Sequence, residues 1–219
     1  GYKALLDYYL DLSVKAQYHS YEVMNQHVSF LFTSLLTDDC IARGKALLDG
    51  GVRYLGGTNE TYGNINTSDS LWVIRDLVFN QKKYTLRQLN DAMLANFNGY
   101  EALRKDCLNC DKYGNDLETA DTMANDLYEF VAKGVRDRGI AIGMQYFLIV
   151  ISNNQLNTEW GNRTAASPDG RLSCMYMNPA NNPQGGANKS GPTAMLNSLA
   201  KFDAKYHGGS VQNIKFSPS

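Results

Sequence analysis

Two cysteines separated by two residues, Cys107-Leu108-Asn109-Cys110, carry a spacing that metal and thiol-redox sites use. A structural zinc site needs about four ligands. The sequence offers neither a second such pair nor a close histidine pair, since Cys40 and Cys174 stand apart and His19, His27 and His207 are scattered. Two incidental thiols near a helix end are therefore the preferred reading, with metal or redox function as the alternative. No histidine has an acid or cysteine spaced for a triad. Asp38 with Asp39, and Asp106 with Asp111, have the chemistry for acid/base work, but acids at helix ends more often cap helices or face solvent. The tract "GGANKSG" has the flavour of a phosphate loop and fails its pattern, because Asn188 rather than glycine precedes Lys189. In "RTAASPDGR", Arg163 to Arg171, the run Ser167-Pro168-Asp169-Gly170 encodes a turn: proline presets φ, aspartate accepts backbone bonds and glycine closes.

The chain around these residues has 219 residues, enough to bury a full core as one domain or two small ones. Hydrophobic content of 43% and charged content of 20% are those of a globular protein. A net charge of -1 without a basic cluster gives no electrostatic case for nucleic acid or an anionic membrane. No apolar run approaches the roughly 20 residues of a membrane span, and the opening "GYKALLDYYL" lacks a secretory pattern. The chain reads as cytoplasmic. Sequons at Asn59, Asn66, Asn162 and Asn188 then read as chance.

The elements that must position these groups are mostly helical. Tyr2 to His27 carries a helical pattern with Leu5, Leu6, Tyr9, Leu12 and Ala16 on one side. "FLFTSLLTDDCIARGKALLDGG" reads as a helix pair broken around Thr37, with Thr37, Asp38 or Asp39 as cap. From Gly50 to Gly63 the chain turns glycine-rich, which suits a loop or short strand where backbone passes close to something. A helix follows over "SDSLWVIRDLVF", capped by Thr67 or Ser68, with Leu71, Ile74 and Val78 in register. "TLRQ", Thr85 to Gln88, is a capping box opening a helix with Leu86, Leu89, Met93 and Phe97 as its stripe. Asn98-Gly99 breaks that helix, and a short one runs from Tyr100 to Cys107. A longer helix places Ala120, Met123, Leu127 and Val131 inward.

"MQYFLIVI" is too short for a helix and predicts a buried, parallel strand. A long irregular tract runs from there to Gly191. Pro192 opens a last helix, and "SVQNIKF" is a strand candidate. Several helices with few strands, none joined by a hairpin signal, look like a piece of a larger α/β assembly.

The segments "FLFTSLLTDDCIARGKALLDGGVRY", "TSDSLWVIRDLVF", "YTLRQLNDAMLANFNGYEALRK", "KYGND", "RTAASPDGR", "SGPTAMLNSLAKFD" and "NIKFSPS", collinear from Phe30 to Ser219, together resemble the pyruvate formate-lyase-type glycyl radical enzymes. The resemblance implies an α/β fold in which a barrel of about ten strands is ringed by helices, this chain being a mainly helical fragment from its second half. It implies a glycyl radical, installed by a separate S-adenosylmethionine iron-sulfur activating enzyme, that converts a cysteine to a thiyl radical acting on a small-molecule substrate. Family partners are then the rest of the parent chain, the activating enzyme and a second copy in a homodimer, and no cofactor is expected on this piece. The radical glycine and the thiyl cysteine are expected outside residues 1–219, with no catalytic role for Cys40, Cys107, Cys110 or Cys174. Pro168, Asp169, Gly170 and Arg171 are expected to fix a loop by hydrogen bonds and an ion pair rather than to touch substrate. Gly51, Tyr54 and Asn64 are the candidates for lining the parent's pocket.

Two functions remain in play. One is part of a lyase or acyltransferase, with formate acetyltransferase as the default label. The other is a stand-alone binding or assembly remnant without catalysis. Exposed apolar surface distinguishes them.

Overall fold

A computed structural model describes residues 1–28, 30–151 and 155–214. Its helices and strands in order are α1 (Tyr2–His27), α2 (Leu31–Leu36), α3 (Cys40–Arg43), β1 (Gly56–Glu60), α4 (Asn64–Val73), α5 (Leu86–Leu94), α6 (Glu101–Asn109), α7 (Glu118–Ala141), β2 (Tyr146–Ile151), α8 (Leu156–Asn162), α9 (Gly191–Ala200) and β3 (His207–Ser210). The three strands form a small parallel sheet in the order β1-β2-β3. Contacts divide the chain into two compact units: residues 1–59, 130–150 and 206–208, and residues 60–129, 151–205 and 209–219.

In the first unit, α1 is one helix as its pattern requires, but its buried residues are Leu10 and Val14, while Leu5, Tyr9 and Leu12 are exposed. Leu10 packs where Gly134 of α7 leaves room, a Cβ there falling 2.9 Å from Leu10 Cδ1. Arg138 ties the same two helices by donating to Asp7 at 2.6 Å. The expected cap of α3 does not form. Asp39 sits at the N-cap with φ of 72° and no side-chain cap bond, because Arg53 takes both carboxylate oxygens at 3.0 and 3.2 Å. Strand β2 lies between two neighbours, with its Phe147 and Ile149 face buried and its Tyr146 and Leu148 face partly open. The strand expected to be buried is therefore buried at Phe147 and Ile149 but exposed at Tyr146. Close packing of Phe147 requires glycine at both Gly57 and Gly139, where a Cβ would approach its ring carbons or its own Cβ to 2.6 Å.

In the second unit, α4 starts at Asn64, four residues earlier than a Thr67 cap and five earlier than a Ser68 cap suggest. Gly63, at φ of 69°, turns the chain into the helix, so Thr67 and Ser68 fall inside it, and the Ser68 hydroxyl donates back to Ile65 O. A π-helical turn, Ile74–Asn80, continues α4. The fully buried stripe runs at four-residue spacing through Ile65, Asp69, Val73 and Leu77, while the expected Ile74 and Val78 pack partly buried against the core. Val73 and Leu77 of that stripe meet Leu89, Ala92, Phe97, Leu103, Cys107 and Ala166 in one core.

The capping box at α5 is complete, with Gln88 N donating to Thr85 Oγ1 and Thr85 N to Gln88 Oε1. Leu86 of its expected stripe is exposed. Pro192 stands in the first turn of α9, where its missing N–H costs nothing. The last strand lies earlier than "SVQNIKF", at β3, and Lys215 and Phe216 lie outside the described residues.

Candidate functional site

The turn Ser167–Gly170 closes through Gly170 N to Ser167 O at 3.0 Å, and Ser167 N returns to Arg171 O at 3.0 Å. Gly170 has φ of 94°, and a Cβ there would lie 2.7 Å from Leu108 Cδ2, so conformation and packing both require glycine. Its carbonyl accepts from Arg104 Nε on α6 at 3.0 Å.

Asp169 and Arg171, each only 4% exposed, anchor the loop from inside. The Asp169 carboxylate accepts from Asn66 Nδ2 at 2.7 Å, Ser167 Oγ at 2.5 Å and Arg171 N at 3.3 Å, while its own N–H donates to Ser70 Oγ. The Arg171 guanidinium donates to Ala165 O, Leu172 O, Met175 O and Ser167 Oγ. The expected ion pair is thus replaced: Ser167 stands between the two charges, and three carbonyls take the guanidinium. Burial pulls Arg171 below the usual guanidinium range, against the opposing field of Asp169.

Asn66 on α4 extends the network. It exchanges bonds with Asn178, its N–H donating to Asn178 Oδ1 and its Oδ1 accepting Asn178 N at 2.7 Å, and its amide also reaches Gln184 Oε1. One turn along, Asp69 is 1% exposed. Its Oδ1 accepts Tyr113 N at 3.0 Å, and its Oδ2 has no partner among the described residues. Desolvation pushes this carboxyl up to about 8, against the pull of the Tyr113 N–H and Lys112. Lys112 is itself buried, with its ammonium capping the end of α6 at Cys107 O and Cys110 O. A cavity of about 410 Å³ opens beside Asp69, Lys112 and the turn.

The sequence pointed to the turn but not to Asn66, Asp69, Arg104, Lys112, Asn178 or Gln184. The legible signal was a polar residue, Asp69, standing between apolar residues four positions away on either side. The other candidates are not brought together. Gly51 is buried in the first unit, where a Cβ would fall 2.4 Å from Lys45 O, so the close backbone approach is to its own chain. Tyr54, in the same unit, is 68% exposed. Their neighbours Gly50, Val52, Arg53 and Leu55 help wall a cavity of about 420 Å³. Asn64 belongs to the second unit and donates to Thr61 Oγ1 at 3.1 Å.

The cysteine pair is structural in its setting. Cys107 is fully buried in the α6 core, and burial pushes its thiol up to about 12 and that of Cys110 up to about 11. Such thiols are poor nucleophiles. Among the described residues no three His, Cys, Asp or Glu side chains gather as metal ligands.

The sequence matches the pyruvate formate lyase-like family over residues 1–156 and the glycine radical family over residues 177–219. It is 32% identical to trans-4-hydroxy-L-proline dehydratase of Clostridioides difficile, an alignment covering 100% of this chain and 28% of that protein. It is also 32% identical to (2S)-3-sulfopropanediol dehydratase of Klebsiella oxytoca, over 84% of this chain and 23% of the relative. The glycerol-bound B12-independent glycerol dehydratase of Clostridium butyricum superposes with a TM-score of 0.89 at 28% identity, covering 95% of this chain and 27% of the other. The chain thus spans less than a third of the length of these relatives.

Proposed function

Since the chain belongs to the pyruvate formate lyase-like family of glycyl radical enzymes, we propose that it is one part of a dehydratase that removes water from a small hydroxylated substrate by thiyl-radical chemistry. The observation that supports this reaction is the alignment along the whole chain with a protein named for dehydration of a hydroxyamino acid. A second relative and a solved structure are named for dehydration of diol or triol substrates. Formate acetyltransferase, the default expected from the sequence, gives way to elimination.

In this reading the glycyl radical, installed by an S-adenosylmethionine iron-sulfur activating enzyme, and the thiyl cysteine are supplied by polypeptide outside residues 1–219. The raised thiols of Cys107 and Cys110 support that division, since neither is disposed to react. This chain contributes scaffold: Asp169, Gly170 and Arg171 hold one loop rigid, with Pro168 presetting its turn. Gly51, Tyr54 and Asn64 remain candidates for the pocket wall of the complete enzyme. No helix among the described residues is long and apolar enough to cross a membrane, and we place the enzyme in the cytoplasm, as a homodimer.

The bare face of α2, with Leu31, Phe32, Leu35 and Leu36 all exposed, favours this reading over a stand-alone binding module, whose apolar residues would be covered. The test is anaerobic activation of the full natural protein, with electron paramagnetic resonance to count glycyl radicals, followed by incubation with diols, hydroxyamino acids and, separately, pyruvate with coenzyme A. Water loss from a hydroxylated substrate is the expected result. Radical formation accompanied only by formate and acetyl transfer would refute dehydration.

A further inference from the structure

We propose that the cavity beside the Asp169 turn is a binding site for a phosphate group, distinct in chemistry from the elimination proposed above. Its walls gather basic side chains from three stretches: Arg104 and Lys105 of α6 with Lys112 just beyond it, Arg171 from the turn, and Lys189 from the tract before α9. Among the described residues neither Lys105 nor Lys189 has an ion-pair partner. In a chain of net charge -1, five cations around one concavity make a local positive potential that attracts an anion.

Of the cavity's two carboxylates, Asp169 supplies one negative charge, its hydrogen-bonding capacity taken by Asn66, Ser167 and Arg171 N, so the five basic side chains outnumber it. Asp69 also lines the cavity, and burial, which raises its carboxyl to about 8, keeps it from supplying a full second negative charge at neutral pH. Gly185 and Gly186 also line the cavity, and among the described residues their N–H groups donate to nothing. Gly186 has φ of 82°, the left-handed backbone found where successive N–H groups form an anion nest. The "GGANKSG" tract does not fit the phosphate-loop spacing, yet the fold brings its glycine and lysine to the same wall as cations more than 70 residues away. A phosphate, with four oxygens and up to two charges, is the common group that satisfies lysine and backbone amide donors together.

The experiment is calorimetric titration of the full natural protein with inorganic phosphate and, in a second arm, a simple phosphomonoester, at fixed ionic strength. Saturable binding is expected, at least tenfold weaker in the Lys105→Gln/Lys189→Gln variant, whose thermal midpoint without ligand should match wild type. Tighter binding of the ester would show that the phosphate belongs to a larger ligand; equal binding would identify the free ion. Asp69→Asn cannot ionise. Around Asp69 stand Lys112, Asp121 and Asp169, and the variant should lose only the weakening of affinity that wild type shows above about pH 8. No saturable heat with either ligand, or equal affinity in the lysine variant, would overturn the proposal.

Discussion

Replacing Asp169 with alanine removes the acceptor on which the loop Ala165–Met175 depends. The carboxylate is 4% exposed, so no water substitutes for it readily. Ser167 Oγ and Arg171 N lose a charged acceptor, each such bond being worth about 1.5–3 kcal/mol. Asn66 Nδ2 keeps Gln184 Oε1 and loses less. The buried Arg171 guanidinium also loses its nearest opposing charge. Together these give a destabilisation of about 3–5 kcal/mol, a range typical of breaking one side of a buried charged network. Asp169→Asn should cost about 1–3 kcal/mol, because its amide opposes the Asn66 donor while its oxygen still serves Ser167. Urea unfolding followed by tryptophan fluorescence is well suited, since both tryptophans, Trp72 and Trp160, lie in the second unit. Arg171→Met combined with Asp169→Ala should be less damaging than the sum of the two, since neither buried charge is then left alone. A loss below about 1 kcal/mol for Asp169→Ala, or strict additivity of the pair, would show that the turn is held by its backbone alone.

Gly170→Ala should destabilise by about 2–4 kcal/mol from its positive φ and its overlap with Leu108; adding Leu108→Ala should relieve only the overlap, as read in the same urea experiment. Burial raises Asp69 to about 8, so the folded protein keeps a proton that the unfolded chain releases above about pH 4. That contribution to stability is complete below about pH 4 and is lost as pH rises through about 8. Stability of Asp69→Asn relative to wild type should therefore improve between pH 5 and pH 9, and an unchanged difference would place an ionised carboxylate at Asp69. Alkylation with iodoacetamide at pH 7.5, mapped by mass spectrometry, should modify exposed Cys174 well before Cys107 and Cys110, whose thiols burial keeps protonated. Rapid loss of the Cys107 or Cys110 thiol would restore the redox reading of that pair.

What the sequence settled by itself was local. The capping box Thr85–Gln88, the proline opening α9, the turn at Ser167–Gly170 and the existence of α1, α7 and β2 all rest on interactions among residues a few positions apart, so the order of residues contains them. The collinear segments likewise carried the family. The inward face of α1 was misjudged because its apolar residues encircle much of the helix, and only the surface presented by α7 selects Leu10 and Val14. Thr67 and Ser68 suggested a helix start that the left-handed Gly63 forestalls. Asp39 was offered as a cap and became the partner of Arg53, fourteen residues away.

The buried network needed the tertiary structure most. Asn66 meets Asn178 across 112 positions and Asp169 across 103. Nothing in either neighbourhood names the other, because a polar side chain is committed to the interior only when the fold removes its water and supplies a partner. The same removal of water, acting on one oxygen of Asp69 without a compensating donor, turns an ordinary helix aspartate into a protonated group beside a basic cavity. No spacing rule contains that outcome, since it depends on the dielectric surroundings that the folded chain alone creates.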